Sequence, residues 1–207
     1  MFITAQGPAL FQIQDQKKQP KANLVIGSFS DPKNDSIALA KLKTTFDIIL
    51  VTQNKLVPPG FLKLKGKPFL INTPGEFEIK GTEIKGIQDE TNIIYIFSLN
   101  STKAAFVSEI QKKELSSGLI GAIEGIDILF ITLRGDEITP QYVAKIISQV
   151  EPKMIIPMNF SPSDLKEFFT IVGVDPIEPI SNLDIKSADL LTEKLEVRIL
   201  LSQNESS

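Results

Sequence analysis

Short apolar segments of two kinds alternate with polar turns along the chain and predict most of its strands. Segment 76–80 alternates polar and apolar residues, and Lys80-Gly81 leads into a similar segment at 82–87, so we predict a half-buried antiparallel hairpin. Four segments are almost continuously apolar, which is typical of strands covered on both faces: 46–51, 92–99, 127–133 and 154–157. Further short strands are expected at 1–4, 10–14, 22–26, 69–72, 103–107 and 196–200.

Helix start signals predict helices between several of these strands. Thr139-Pro140 combines a capping hydroxyl with a proline at the first helical position, and apolar residues at helical spacing continue to Val150. Ser161-Pro162 begins a second helix in the same way. A short helix is expected at 35–42, whereas the composition of 112–122 does not decide between a helix and an irregular segment.

The order of these elements predicts a single domain with two packed sheets. The strand at 127–133, the helix that follows it and the strand at 154–157 form a crossover unit, whose two strands are expected to be parallel. We expect about ten short strands with helices outside them. The domain is expected to span residues 1–201, followed by a polar tail at 202–207.

Composition limits the classes of partner and the location. The chain has 207 residues, of which 42% are hydrophobic, so it can bury a full core. A net charge of -3 argues against nucleic acid as a partner, because binding to phosphate needs a clustered excess of Lys and Arg. No apolar run has membrane-spanning length, and the first residues carry no basic leader. We therefore expect a cytoplasmic protein with no membrane partner.

Two residue types that carry much of enzyme chemistry are missing. There is no Cys, so a disulfide, a thiolate nucleophile and a Cys-ligated metal are excluded. There is no His, which removes the commonest metal ligand and the side chain that titrates nearest neutral pH. A catalytic triad that contains His and a His-based zinc site are therefore excluded within this chain.

Five strings in a fixed order carry a resemblance to a known family: DIILVT at 47–52, NTPGEFEIKG at 72–81, NIIYIF at 92–97, IDILFITLRGD at 126–136 and PKMIIPMNF at 152–160. With the order of elements, they resemble the short Zn-dependent hydrolases of the metallo-β-lactamase fold, the branch related to the ascorbate-phosphate lactonase. The resemblance extends from Met1 to about Leu200. It implies an α/β (α+β) fold, a four-layer αββα sandwich with the site at one edge between the two sheets.

The family's main metal motif is replaced in this chain. In the family, the strand that corresponds to 46–51 ends in T-H-x-H-x-D-H, whose imidazoles and carboxylate bind zinc. The two first histidines are matched here by Gln53 and Lys55, the aspartate by Val57 and the last histidine by Pro58. Lys55 would place a positive charge where a dication should lie.

The remaining ligand positions show the same loss. The family's His-Asp pair falls on Gln88-Asp89, and the last residue of its H-L-G-D motif falls on Glu109. The histidine of its I-P-M-H-Y motif is replaced by Asn159, and its early G-H-S motif reads Gly7-Pro8-Ala9. The resemblance therefore implies zinc as the family's cofactor and, at the same time, the absence of its ligands here.

We predict a metal-free, non-catalytic scaffold, that is, a binding or scaffolding module that uses no cofactor. Seven residues are expected to line a vestigial pocket: Gln53, Asn54, Lys55, Gln88, Asp89, Glu109 and Asn159. The alternative for Gln53, Asn54, Gln88 and Asn159 is that they are ordinary loop residues that fill the space left by the metals. Lys55 could also form an internal salt bridge with Glu109 or Asp89 in place of the ion.

A second function class stays open, a metal-dependent hydrolase of phosphate esters or lactones. It would need an oxygen-only site for Mg²⁺ or Mn²⁺. The carboxylates available for such a site are Asp31, Glu76, Asp89, Glu109 and Asp136. Their spacing is that of strand ends in general, and Glu76 is better explained as part of the hairpin.

The partner of a binding module is not identified by the sequence. A small molecule or a protein would fit equally well, and formation of a homo-oligomer stays open. Lys63, Lys65 and Lys67 form an alternating basic stripe, which we interpret as the solvated face of a strand.

Overall fold

Two β-sheets lie face to face in the computed structural model, which describes residues 1–15, 22–29, 45–110, 115–135, 138–191 and 194–202. In chain order the strands are β1 Phe2–Gly7, β2 Leu10–Gln14, β3 Asn23–Gly27, β4 Ile48–Val51, β5 Phe69–Ile71, β6 Gly75–Ile79, β7 Thr82–Asp89, β8 Asn92–Leu99, β9 Thr102–Val107, β10 Ile128–Thr132, β11 Met154–Met158, β12 Leu183–Asp184 and β13 Glu196–Val197. The first sheet has six strands in the order β12-β1-β2-β3-β4-β5. The second has seven in the order β13-β11-β10-β9-β8-β7-β6.

Both sheets are mixed, and their parallel parts determine where loops gather. In the first sheet β3, β4 and β5 are parallel, while β1, β2 and β3 pair antiparallel. In the second sheet β9, β10, β11 and β13 are parallel, and β6 to β9 form an antiparallel meander. Residues that follow parallel neighbours emerge at one edge of a sheet, where open sheets usually carry their sites.

Apolar side chains from both sheets fill the space between them. Phe11 of β2 contacts Phe106 and Phe130 of the second sheet, with ring centroids 6.0 Å and 5.1 Å apart and the rings edge to face. Tyr95 of β8 is fully buried in the same layer. β4 is buried along its whole length and β8 is buried at every residue except Ser98, so their near-continuous apolar sequences agree with their position.

In the described part of the chain, the outer face of the second sheet is covered by three α-helices: α1 Ser117–Ile123, α2 Pro140–Val150 and α3 Pro162–Val172. The Thr139 hydroxyl accepts a hydrogen bond from the backbone N–H of Tyr142 and caps α2. A capping box begins α3, in which the Ser161 hydroxyl accepts from the N–H of Asp164 and the Asp164 carboxylate accepts from the N–H of Ser161. The hydrogen bonds that the carboxylate receives from Ser161, above all the one from its backbone N–H, lower the pKa of Asp164.

A smaller apolar cluster covers the outer face of the first sheet in the described part of the chain. Its buried members are Leu10, Val25, Phe29, Phe46, Ile49 and Val51. The segment after β4 packs onto them with Leu56, Phe61, Leu64 and Leu70, and it includes a 3-10 helix, Phe61–Lys63. A second 3-10 helix spans Ser187–Leu190.

The predicted sandwich of stacked sheets and flanking helices is confirmed, as are the hairpin formed by β6 and β7 and the parallel unit β10-α2-β11. The basic stripe was interpreted wrongly as a strand, because the segment around Lys63 is a 3-10 helix and turns. The expected helix at 35–42 lies outside the described residues. Ser202, where the tail was expected to begin, is buried. None of the described helices has the length and apolarity needed to cross a membrane.

Candidate functional site

The ends of β3 and β4 place Ser28 and Gln53 side by side. The strands are parallel, and Gly27 pairs with Val51, so the residues that follow leave the sheet at the same edge. The N–H of Thr52 donates to the Gly27 carbonyl at 3.1 Å. The chain then reaches the second sheet, because Gln53 forms an isolated antiparallel bridge with Asn92 at the start of β8. This edge therefore joins the two sheets.

Ser28, Gln53 and Glu109 form a closed hydrogen-bonded cluster at this edge, named here the Glu109 cluster. The Gln53 amide nitrogen donates to the Ser28 hydroxyl at 2.6 Å and to Glu109 Oε2 at 3.1 Å. The Ser28 hydroxyl donates to Glu109 Oε1. The orientation of the Gln53 amide is fixed, because its oxygen accepts from the backbone N–H of Phe29 at 2.9 Å. Both carboxylate oxygens of Glu109 are thus engaged by neutral donors.

The backbone at Glu109 holds the carboxylate in this position. Glu109 follows β9 with a φ of 51°, in the left-handed region that a non-glycine residue seldom adopts. The buried Asn92 donates from its side-chain amide to the Glu109 carbonyl at 3.0 Å. Backbone strain of this kind persists only where surrounding contacts impose it, and it is concentrated at functional sites.

Asn54 and Gln88 form a second pair beside the cluster. The Asn54 amide nitrogen donates to the Gln88 amide oxygen at 2.9 Å, and the Asn54 backbone N–H donates to the Thr91 carbonyl at 3.0 Å. The Gln88 amide nitrogen in turn reaches the Asn92 carbonyl at 3.4 Å. Within the described residues the buried Asn54 Oδ1 accepts no hydrogen bond.

The Lys55 side chain does not lie between the carboxylates of Glu109 and Asp89. Its side chain is exposed, and no ion pair joins it to Glu109 or Asp89, all three of which are described residues. The hypothesis of an internal salt bridge is therefore wrong, because Ser28 and Gln53 already occupy the Glu109 carboxylate. Lys55 is held through its backbone instead, with a φ of 62° and an N–H that donates to the Asn72 carbonyl at 2.7 Å.

Asn159 lies on the far side of the Gly7–Ala9 turn from the Glu109 cluster. Its backbone N–H donates to the Pro8 carbonyl at 2.9 Å, and its side chain reaches the Arg134 carbonyl at 3.4 Å. The N–H of Ser28 donates to the Ala9 carbonyl at 3.1 Å, so the turn separates the two. Asn159 lines a cavity of about 180 Å³ that is distinct from the cluster, and its other walls are Gly7, Pro8, Phe11, Pro157, Phe160, Leu200 and Ser202.

The structure thus joins Gln53 to Glu109 and Asn54 to Gln88, while Asp89 is buried at the end of β7. Sequence reasoning missed Ser28 and Asn92. Ser28 could have been found from its position directly after β3. Since β3 and β4 are parallel neighbours, the residues that follow them leave the sheet at the same edge. Asn92 gave no signal, since it is the first residue of an apolar strand.

The side chains at this edge do not fit the zinc ions that the resemblance implies. Zinc sites use thiolates, imidazoles and carboxylates, and the chain has neither Cys nor His. Among the described residues, no three or more carboxylates lie close enough to hold a metal ion. Of the carboxylates considered for Mg²⁺ or Mn²⁺, Asp31 and Asp136 lie outside the described residues.

Glu76, another of those carboxylates, belongs to the hairpin. It forms an ion pair with Lys85 across β6 and β7 at 2.9 Å. The hydrogen bond from Lys85 and the charge of its ammonium group hold the pKa of the Glu76 carboxyl below its usual value. This supports the interpretation that Glu76 serves the hairpin and not a metal site.

A family model described as a beta-lactamase superfamily domain matches residues 19–159 of the chain. The match covers the Glu109 cluster, the Asn54–Gln88 pair and Asn159, and it confirms the family that the sequence strings indicate. No match was found among proteins with curated descriptions.

Solved structures show the same fold at low sequence identity. A protein from Thermotoga maritima, assigned to the zinc-dependent hydrolases of the metallo-β-lactamase superfamily, has a TM-score of 0.69 and 20% identity, with 97% of this chain and 99% of that chain covered. The metallo-β-lactamase fold protein YhfI from Bacillus subtilis has a TM-score of 0.62 and 11% identity, with 97% and 96% covered. At this identity the likeness establishes the fold and not the reaction.

Proposed function

Since the chain belongs to the beta-lactamase superfamily, and a hydrogen-bonded cluster lies where the resemblance places metal ligands, we propose that it is a metal-free, non-catalytic binding or scaffolding module. One observation supports this proposal above the others. Both oxygens of Glu109, the carboxylate matched to a metal ligand, accept hydrogen bonds from Ser28 and Gln53. A cation could use them only after both donors had turned away.

The neighbouring positions reinforce this conclusion. Gln53 replaces the first histidine of the family's motif, and the nitrogen that it presents to Glu109 is an amide donor, which cannot bind a metal. Val57 and Pro58 offer no ligand atom on their side chains. The cluster therefore takes over a structural task of the ion, since it ties the ends of β3, β4 and β9 together.

Catalysis without a metal has no support among these residues. The Ser28 hydroxyl donates to a carboxylate, as a nucleophile would to its base, but a carboxylate is far too weak a base to activate a serine at neutral pH. The imidazole that serves in such triads is absent from the chain. The Ser28–Glu109 contact is accordingly assigned to positioning of the strand ends.

A hydrolysis screen separates this proposal from the carboxylate-metal alternative. The full chain would be assayed with a chromogenic phosphodiester and a chromogenic lactone, without added metal and with Zn²⁺, Mg²⁺ or Mn²⁺. We expect no turnover above the uncatalysed rate under any condition. Metal-dependent turnover that is lost in Glu109→Ala but kept in Glu124→Ala, an exposed carboxylate at the end of α1, would overturn the proposal.

A further inference from the structure

We propose that the chain binds peripherally to an anionic lipid surface through one basic turn with an apolar tip. The turn spans residues 61–67, includes the 3-10 helix Phe61–Lys63 and lies on the outer face of the first sheet. Its tip is Leu62, and its charges are those of the basic stripe. The inference does not depend on the Glu109 cluster, because this surface is the same whether or not the chain is catalytic.

Two anchors determine the direction of the side chains in the 61–67 turn. Phe61 and Leu64 are partly buried against the apolar cluster on the outer face of the first sheet. Leu62 lies between them and is 90% exposed. At that exposure the side chain has almost no neighbours, so it projects from the surface and does not line a groove. A single exposed leucine is common on proteins, and it is the charge around Leu62 that points to a partner.

The charge around Leu62 has one sign. Between residues 48 and 75 the chain has four Lys and no Asp or Glu, although its net charge is -3. Lys63, Lys65 and Lys67 are exposed, and none of them forms an ion pair in the described part of the chain. This local positive charge is complementary to the phosphates and carboxylates of anionic lipid headgroups.

The acidic residues that border this stretch do not neutralise it. Asp47 pairs with Lys80 at 2.5 Å, and Glu76 pairs with Lys85 at 2.9 Å. Each carboxylate is thus matched by a lysine from outside the stretch. The lysines of the 61–67 turn consequently remain available to an external anion.

The backbone of the turn also suits a surface that holds little water. The N–H groups of Phe61, Lys63 and Leu64 each donate to the carbonyl three residues earlier, at 2.9–3.1 Å. The prolines on either side, Pro59 and Pro68, have no N–H that needs an acceptor. Because unpaired backbone donors are costly away from water, these features let the tip of the turn enter the headgroup region.

An anionic lipid surface fits the turn better than an acidic protein or a nucleic acid. Protein partners take up apolar anchors in shaped and well-packed pockets, whereas Leu62 projects from a convex surface. Binding to single-stranded nucleic acid combines basic residues with aromatic rings that stack on bases, and the exposed side chains of the turn are one leucine and three lysines. A leucine can enter the apolar boundary of a lipid layer while lysines beside it reach the headgroups.

This proposal replaces the expectation that the chain has no membrane partner. That expectation followed from the lack of an apolar run of spanning length, which a contact at the surface does not require. One leucine and three lysines form a small contact. We therefore expect binding that is reversible and that weakens as salt is raised.

Sedimentation of the full chain with lipid vesicles at low ionic strength tests the proposal. One set of vesicles contains phosphatidylcholine alone, and the other contains phosphatidylcholine and phosphatidylserine in equal parts. We expect binding to the anionic set, loss of that binding in high salt and none to phosphatidylcholine alone. Lys63→Glu/Lys65→Glu and Leu62→Asp should each weaken binding by about tenfold or more, through the lost headgroup contacts and the lost apolar contact respectively.

Two variants elsewhere on the surface are matched controls. Lys166→Glu/Lys186→Glu makes the same change in net charge at two exposed lysines, and Leu191→Asp alters another leucine, one with 80% exposure. Both should bind anionic vesicles as the wild-type chain does, because charges beyond a Debye length from the contact are screened. Circular dichroism checks that all four variants are folded.

Three results would overturn the proposal. The first is a wild-type chain that does not bind anionic vesicles at low ionic strength. The second is equal binding by folded Leu62→Asp and wild type, or equal weakening in the test and control variants. The third is binding to a single-stranded oligonucleotide, without vesicle binding, that is lost in Lys63→Glu/Lys65→Glu and kept in Leu62→Asp, which would assign the turn to nucleic acid.

Discussion

The hydroxyl group of Tyr95 connects the two sheets through hydrogen bonding. It lies on β8, and its hydroxyl is 3.0 Å from the Val51 carbonyl and 2.9 Å from the Ile71 carbonyl, at the ends of β4 and β5. The next residues after Val51 are those of the site, so this contact fixes where the chain leaves the sheet. Burial strongly raises the pKa of the tyrosine, because the charged phenolate is disfavoured between the sheets.

We predict that Tyr95→Phe lowers the free energy of unfolding at neutral pH by about 1–3 kcal/mol, because the buried hydroxyl that lies between the Val51 and Ile71 carbonyls, and the hydrogen bond that it donates there, are lost. The native state holds the neutral form, so this contribution is complete below the ordinary tyrosine pKa of 10.0 and is lost as the pH rises above it. Urea unfolding of the wild-type and Tyr95→Phe chains at a series of pH values measures both effects. A difference between wild type and Tyr95→Phe that stays constant above pH 10.0 would contradict this account.

At the scale of elements, Gly27 determines how closely β3 approaches the β1–β2 turn. A Cβ atom at Gly27 would lie 2.6 Å from Leu10 Cδ1 and 2.8 Å from the Ala9 carbonyl oxygen. The next residue, Ser28, donates its N–H to that same carbonyl. The turn and the Glu109 cluster are therefore positioned by one close backbone approach, for which a glycine is required.

Gly27→Ala is expected to lower the free energy of unfolding by about 1–3 kcal/mol, since the turn must move to admit the methyl group. Gly121→Ala is the matched control: it lies in α1 with nothing within 4 Å of the added carbon, and it should stabilise the chain by about 0.4–1 kcal/mol. Thermal and urea unfolding of both variants measures the contrast. If the two variants were equally stable, the close approach of Gly27 to Ala9 and Leu10 would not contribute to the free energy of unfolding.

Elements with local signals were predictable from the sequence, and contacts between elements were not. The caps at Thr139 and Ser161 and the alternation of the β6–β7 hairpin are properties of neighbouring residues, and they occur where predicted. The stripe around Lys63 has the same alternation but follows Gly60 and contains Gly66, both with positive φ, so the segment turns instead of extending. Alternation alone does not distinguish a strand from such a loop.

The site shows the same division. The loss of metal ligands could be predicted from single positions such as Gln53 and Asn159, because it depends only on residue type. The hydrogen-bond partner of Glu109 could not be predicted in this way. It depends on how β3 and β4 are registered, and this register sets Ser28, rather than Lys55, beside the Glu109 carboxylate. The prediction that Lys55 pairs with Glu109 was wrong. The backbone of Lys55 is left-handed and its side chain is exposed to solvent.

For the whole molecule, we propose that the superfamily scaffold persists without its metal chemistry. The stacked sheets, their core and the edge where strand ends meet are retained. At that edge, hydrogen bonds among Ser28, Gln53 and Glu109 hold strand ends that imidazoles and a dication would otherwise hold. Under this proposal the molecule acts through its surface and its remaining amide groups, and not by activating water.

Elemental analysis of the full chain, purified from cells grown with added zinc and manganese, tests this claim most directly. As a positive control, the variant Gln53→His/Lys55→His/Val57→Asp/Pro58→His restores the family's ligand types and should retain zinc. The account predicts that the wild-type chain carries far less than one metal ion per molecule. A stoichiometric transition metal in the wild-type chain, lost in Glu109→Ala, would contradict it.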